Sequence, residues 1–223
     1  MRALRLLTIA ALSAVLTSSG AAQTDIPVER FRSIELHHGG SVIVRHGPVQ
    51  RVTIRTGDLR STRVRLAAGQ RLVIENCKPD CPRNYRLQME IITPELSAVA
   101  VSEGGTVAIA GAFPDQPAIE TSVGQGGTID IRPIAADAVH ASVHSGGTIL
   151  TTPRRTLAAT VVSGGRITYW GDARVTRSVR DGGVVTRGAR EDADKPLSEL
   201  NPPHVIPPIP PVPPIPPLRN DRN

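Results

Sequence analysis

The sequence predicts an all-β protein: a single-stranded parallel β-helix-like solenoid of 18–22-residue coils with Gly-Gly bends, irregular N-terminal strands and a polyproline II tail. Three observations predict it. The pair Gly-Gly recurs at Gly104-Gly105, Gly126-Gly127, Gly146-Gly147, Gly164-Gly165 and Gly182-Gly183, in steps of 22, 20, 18 and 18 residues. Three residues before each pair stands Val101, Val123, Val143, Val161 or Val179, and two residues after it Val107, Ile129, Ile149, Ile167 or Val185. Only 2% of residues are aromatic, so β-branched aliphatics must fill the interior.

The elements follow in chain order. Residues 1–22 read as a signal peptide: Arg2 and Arg5 precede the apolar stretch Leu6 to Leu16, and Ser18-Ser19-Gly20-Ala21-Ala22 supplies small residues for cleavage. That stretch is shorter than the roughly 20 residues a membrane span needs, so no transmembrane segment is expected. Residues 26–190 form the β domain. Its first part holds irregular strands over Ser41 to Arg45, Val52 to Thr56, Val64 to Leu66, Arg71 to Glu75 and Tyr85 to Ile92. These are either wider early coils or a small sheet capping the stack. An earlier copy of the repeat, with Leu for Val, is Leu36-His37-His38-Gly39-Gly40-Ser41-Val42.

Each later copy is strand, glycine bend, strand, because glycine turns sharply at positive φ without a Cβ clash. Upstream of the bends, Ile119-Thr121-Val123, Val139-Ala141-Val143 and Leu157-Ala159-Val161 each lie on one strand face. Stacking at about 4.8 Å would lay like on like. An antiparallel meander would place those positions at opposite ends of neighbouring strands. The last copy, Val175-Arg177-Val179, puts arginine where its predecessors have Thr or Ala. Arg177 is therefore expected to cap the stack and blunt pairing with another chain.

Residues 191–223 form a charged hinge, Glu191 to Lys195, and a proline-rich tail. Polyproline II has three residues per turn, so Ile206, Ile209, Val212, Ile215 and Leu218 would line one edge about 37 Å long. That edge is a docking candidate; a stiff spacer is the plain alternative.

The formal charge of +6 becomes +4 without Arg2 and Arg5. Arginines alternate with apolar residues (Arg51, Arg55, Arg63, Arg65, Arg71), the pattern of a solvated sheet face, so no nucleic-acid partner is expected. Cys77 and Cys81 flank Lys-Pro-Asp and are the disulfide candidate, a local staple without redox chemistry. No metal, cofactor or catalytic residue is assigned. His140 and His144 would lie about 13 Å apart along a strand, His37 and His38 would point to opposite faces, and His46 sits beside Gly47-Pro48 in a turn. The residues preceding the glycine pairs (Glu103, Gln125, Ser145, Ser163, Asp181) form a polar column whose two acids would stand about 19 Å apart. Glycoside hydrolysis needs carboxylates within roughly 5–9.5 Å. Beside the column runs a row, Thr106, Thr128, Thr148, which Arg166 interrupts.

The opening Phe31-Arg-Ser-Ile-Glu-Leu36, the run into Ile92-Thr-Pro-Glu-Leu96 and the succession of glycine bends resemble the GIN-domain family of auto-transporter adhesin heads, over roughly Phe31 to Thr186. Many members carry Gly-Ser-Gly at the bends, where this chain has mostly Gly-Gly. The resemblance implies an exported β-helix-like domain, periplasmic or at the cell surface, and offers no catalytic motif. The expected function is non-catalytic binding or adhesion toward an envelope polysaccharide or protein partner. The alternative is a periplasmic scaffold acting through its tail, and a polysaccharide-active enzyme is the least favoured reading. Oligomeric state is left open.

Overall fold

Alternation of apolar and polar residues dictates the elements, and the computed structural model, which describes residues 23–77 and 81–200, turns it into strands. In order they are β1 (Thr24–Ile26), β2 (Ser33–His37), β3 (Ser41–His46), β4 (Arg51–Thr56), β5 (Thr62–Ala67), β6 (Arg71–Asn76), β7 (Gln88–Thr93), β8 (Ala98–Ser102) and β9 (Thr106–Ile109). There follow β10 (Gln116–Gln125), β11 (Thr128–Asp130), β12 (Ala136–Ser145), β13 (Thr148–Thr151), β14 (Pro153–Ser163), β15 (Arg166–Tyr169), β16 (Arg174–Val179) and β17 (Val184–Arg187). Strand at 57% against helix at 4% makes the fold all-β.

The strands build two sheets. Nine run in the order β1-β4-β7-β3-β9-β11-β13-β15-β17 and eight in the order β16-β14-β12-β10-β8-β2-β6-β5. Each sheet keeps two free edges, so neither closes into a barrel. From β8 onward the chain alternates between the sheets, one strand in each per pass, and every pairing is parallel.

Before β8 the pairing departs from the all-parallel expectation. The pairs β1–β4, β4–β7 and β5–β6 are antiparallel. For β5–β6 the reason is length: three residues, Ala68 to Gln70, can close a hairpin but not a parallel crossover. The early strands are not a separate cap, because β2, β6, β3 and β7 sit within the same two sheets. Tyr85, expected at the start of a strand, lies outside β7. Its hydroxyl accepts the Asp58 N–H at 2.9 Å and bonds the Thr62 hydroxyl at 2.9 Å, which holds the ring toward the β4–β5 connection.

Between the sheets lies one apolar cluster. Val101, Val123, Val143, Val161 and Val179 are register partners in sequence, and so are Val107, Ile129, Ile149, Ile167 and Val185. Burying each valine or isoleucine side chain contributes about 1.5–3 kcal/mol, so these ladders replace the missing aromatics. Phe31, Phe113 and Trp170 are buried outside the two ladders.

At the bends the two glycines have different tasks. Gly126 has φ +68 and open space where a Cβ would point. Gly127 has φ +100, and a Cβ there would stand 2.7 Å from Val101 Cγ1 and 2.9 Å from the Gly105 carbonyl oxygen. The close approach lets Thr128 N–H donate to Gly105 O at 2.9 Å and Gly126 N–H to Ser145 O at 3.0 Å, carrying the hydrogen-bond ladder around the corner.

The regular passes end at β16 and β17, each of which is a sheet edge. Val179 rises to 42% exposure because no further pass covers it. Arg177 pairs with Ala159 in register and is exposed. The contacts of this body close at Gly188, and Ala189 begins a second unit holding a 3₁₀ turn, Arg190–Asp192, and a helical turn, Leu197–Leu200. No helix among the described residues is long and apolar enough to cross a membrane.

Two outcomes are expected. Gly127→Ala should cost more than about 2 kcal/mol in chemical denaturation, from positive φ plus backbone collision, while Gly126→Asn should stay within about 1 kcal/mol. Arg177→Val should raise self-association in sedimentation velocity, because it removes the one charge that points along the inward column at an open edge.

Candidate functional site

The same alternation that buries one side of each strand presents the other side outward, and both outward faces carry arginine–carboxylate pairs. On the nine-stranded sheet the face is dominated by ion pairs. Glu90 of β7 accepts from Arg45 Nε at 2.9 Å and from Arg55 Nε at 2.9 Å. The hydrogen-bonded Arg55 guanidinium holds its carboxyl below the usual carboxylate range; burial pushes the other way, and Arg45 adds to the lowering. Further along, Asp130 and Arg132 form a buried pair at 2.6 Å, with the guanidinium carbon 5.4 Å from the Trp170 ring centroid.

The outward face of the eight-stranded sheet also carries ion pairs, Glu35 with Arg71 and Glu75 with Arg65 among β2, β6 and β5, but over its later strands it bears hydroxyls. Ser122, Ser142, Thr160 and Ser178 are consecutive register partners and make a hydroxyl row across β10, β12, β14 and β16. At the bend end of these strands Gly124, which has no side chain, leaves a shallow hollow beside His37, Ser102, Glu103, Gln125 and His144.

At the opposite end of the same strands lies a notch of about 460 Å³, lined by Asp115, Gln116, Pro117, Asp137, Arg154 and Arg155. Its shape comes from a bulge. Gln116 pairs with Ala136 and Ala136 with Pro153, but Ala138 pairs with Thr156, so β14 carries an extra residue opposite β12. Arg154 and Arg155 thus face Asp137 together. Arg154 pairs with Asp115, and Arg155 Nε lies 3.5 Å from Asp137 Oδ2. The Gln116 amide nitrogen is buried without a hydrogen-bond partner among the described residues.

The residues singled out in the sequence are placed as follows. The polar column does not repeat one geometry: Glu103 and Asp181 have φ +61 and +44, whereas Gln125, Ser145 and Ser163 do not enter the left-handed region. Glu103 contacts the His38 ring nitrogen, and Glu35 bridges His37 at 2.8 Å and Arg71 at 2.9 Å. His46 closes β3 and its ring meets Phe113 edge-on at 5.3 Å. Thr106, Thr128, Thr148 and Arg166 are register partners in one row. Cys77 and Cys81 are joined by a disulfide with Cα atoms 4.8 Å apart. Ile206, Ile209, Val212, Ile215 and Leu218 lie outside the described residues, as do residues 1–22, the expected signal peptide.

The family described as putative auto-transporter adhesin, head GIN domain, matches residues 30–149 and 117–173. The chain belongs to this family. Among solved structures, a putative adhesin of Bacteroides fragilis is similar at 18% identity, over 74% of this chain and 95% of its own, with a TM-score of 0.43. A putative adhesin of Parabacteroides merdae shares 13% identity over 75% of this chain and 96% of its own, TM-score 0.37. A putative cell adhesion protein of Clostridium sporogenes shares 8% over 74% and 98%, TM-score 0.37. At this distance these likenesses add no argument to GIN-domain membership. No curated protein matches the chain.

The notch escaped the reading of the sequence, although a signal for it was there. Gln116 stands three residues before Ile119 and Ala136 three before Val139, but Pro153 stands four before Leu157. That added residue is the bulge.

The Glu90 arrangement sets an acid limit. A carboxyl depressed in the folded state contributes stability that is full above its unfolded value, about 4.3, and is lost as pH falls through the folded value. Glu90→Gln should therefore flatten the decline in denaturation midpoint below about pH 4.3 relative to the unaltered protein.

Proposed function

We propose that this GIN-domain protein is a non-catalytic, exported adhesion-type protein of the bacterial envelope, with a β-helix body that presents a long regular surface to a polysaccharide or protein partner. One observation carries the non-catalytic part. The body's carboxylates are mostly set against arginines rather than against each other: Glu35 with Arg71, Glu90 with Arg45 and Arg55, Glu95 with Arg32, Asp115 with Arg154, Asp130 with Arg132, Asp172 with Arg187. Acid–base hydrolysis asks instead for two carboxyls whose environments drive their pKa values apart.

The strand alternation from β8 to β17, with residue-for-residue parallel register, supports reading each pass as one coil of a two-sheeted β-helix. The outward face of β10, β12, β14 and β16 is the surface we assign to binding, since its hydroxyl row is regular. The arginine-bearing leader with its apolar core supports export through residues 1–22. Residues 191–223 then serve as a hinge and a polyproline rod.

The test is a binding screen of the mature protein against envelope polysaccharides, peptidoglycan and envelope-protein extract, with and without residues 202–218. Saturable binding that survives loss of the tail is the expected result and places function on the β-helix surface. Binding lost with the tail would instead make the body a scaffold and the Ile-Pro-Pro rod the working part.

A further inference from the structure

The geometry points to the notch at the start of β10, β12 and β14 as a binding site for an uncharged polyhydroxyl ligand, the terminal sugar of a glycan. This rests on the adhesion reading above and gives it a site and a ligand class.

Three observations converge there. First, the bulge is local. In the other parallel passes from β8 onward the register runs without a shift, whereas β14 presents Arg154 and Arg155 together opposite Asp137. Bulges re-aim side chains, and they concentrate beside functional sites. Second, Arg154 reaches from β14 past β12 to Asp115, just before β10, so the charged groups span three passes around a space of about 460 Å³. Third, donor capacity is left over. The Gln116 amide nitrogen finds no acceptor among the described residues, and Arg155 is held to Asp137 by a long contact of 3.5 Å, its side chain 78% exposed.

The charge balance selects the ligand. Two aspartates and two arginines cancel, so the notch offers no net field to an anion or a cation. What it offers is acceptors and donors side by side. A hydroxyl is both donor and acceptor, so a vicinal diol can give its protons to an aspartate while accepting from the neighbouring guanidinium. Gln116, after rotation of its amide, supplies a further donor for a ring or hydroxyl oxygen. Pro117 offers a small apolar patch for the ring's C–H face. No aromatic platform is present among the lining residues, so each contact is weak and attachment would depend on many copies engaging one surface.

The experiment is a saturation-transfer NMR titration of the full chain with methyl glycosides of glucose, galactose, mannose and N-acetylglucosamine, and with inorganic phosphate in parallel. At least one glycoside should bind saturably, and Asp137→Ala combined with Arg155→Ala should weaken it tenfold or more. Ile43→Thr, an exposed position on the outward face of the nine-stranded sheet, should leave it unchanged. Circular dichroism should show both variants folded, as expected for exposed and half-exposed positions. Failure of all four glycosides, an unchanged titration in the double variant, or phosphate binding tighter than any glycoside would overturn the proposal. If the double variant is still retained on polysaccharide as fully as the unaltered chain, the notch assignment falls and the adhesion reading stands. If the unaltered chain is not retained while a glycoside titrates into the notch, the adhesion reading falls and the site stands.

Discussion

Everything in the body depends on how closely one pass can approach the next at the second glycine of each bend. A Cβ at Gly127, Gly147 or Gly165 would stand 2.5–2.7 Å from the Cγ1 of the valine in the pass before, and 2.8–3.0 Å from a glycine carbonyl. With only hydrogen there, the backbones close to hydrogen-bonding distance at the corner, and the strands on both sides enter in phase. In-phase entry is what sets Val123 on Val101 and Ile129 on Val107. The apolar ladders are thus a consequence of the bend as much as of the apolar residues themselves, and a one-residue slip at a corner would turn the following strand's buried face outward.

Electrostatics is arranged around that frame. Ion pairs such as Arg32–Glu95 and Arg45–Glu90 lie on exposed or half-exposed outward faces, where single pairs contribute little stability but keep the surface soluble and discourage edge pairing. The buried pair Asp130–Arg132 is different: desolvation makes either partner costly without the other, which ties the end of β11 to the loop after it. Arg177 is the one charge in the inward column, and it occurs where the column ends.

How legible this was depends on what each residue's neighbours are. Repeat period, bend position and the two apolar ladders could be read directly, because each is fixed by contacts between equivalent positions of successive copies. The antiparallel hairpin β5–β6 could not, since its pairing is set by the short Ala68–Gln70 connection and not by a repeat. Tyr85 looked like strand because its alternation with Leu87 and Met89 continues; its hydroxyl contacts to Asp58 and Thr62 come from chain far away in sequence. The notch fell between the two cases. Its arginines were visible, but their convergence on Asp137 follows from a single residue of added length that draws attention only once Ala136 and Pro153 are known to pair.

The chain's single tryptophan sits late in the body, buried beside Arg132 and against Gly188, where a Cβ would stand 2.2 Å from the indole. Its intrinsic emission is therefore a local gauge of the last passes and says nothing directly of β2 to β7, whereas far-ultraviolet dichroism averages over both sheets. If the body melts by fraying from its open end, as a linear array of nearest-neighbour contacts allows, the optical signal from Trp170 will change before the dichroism does. The placement of one indole thus converts the order in which the passes separate into something a fluorimeter can resolve.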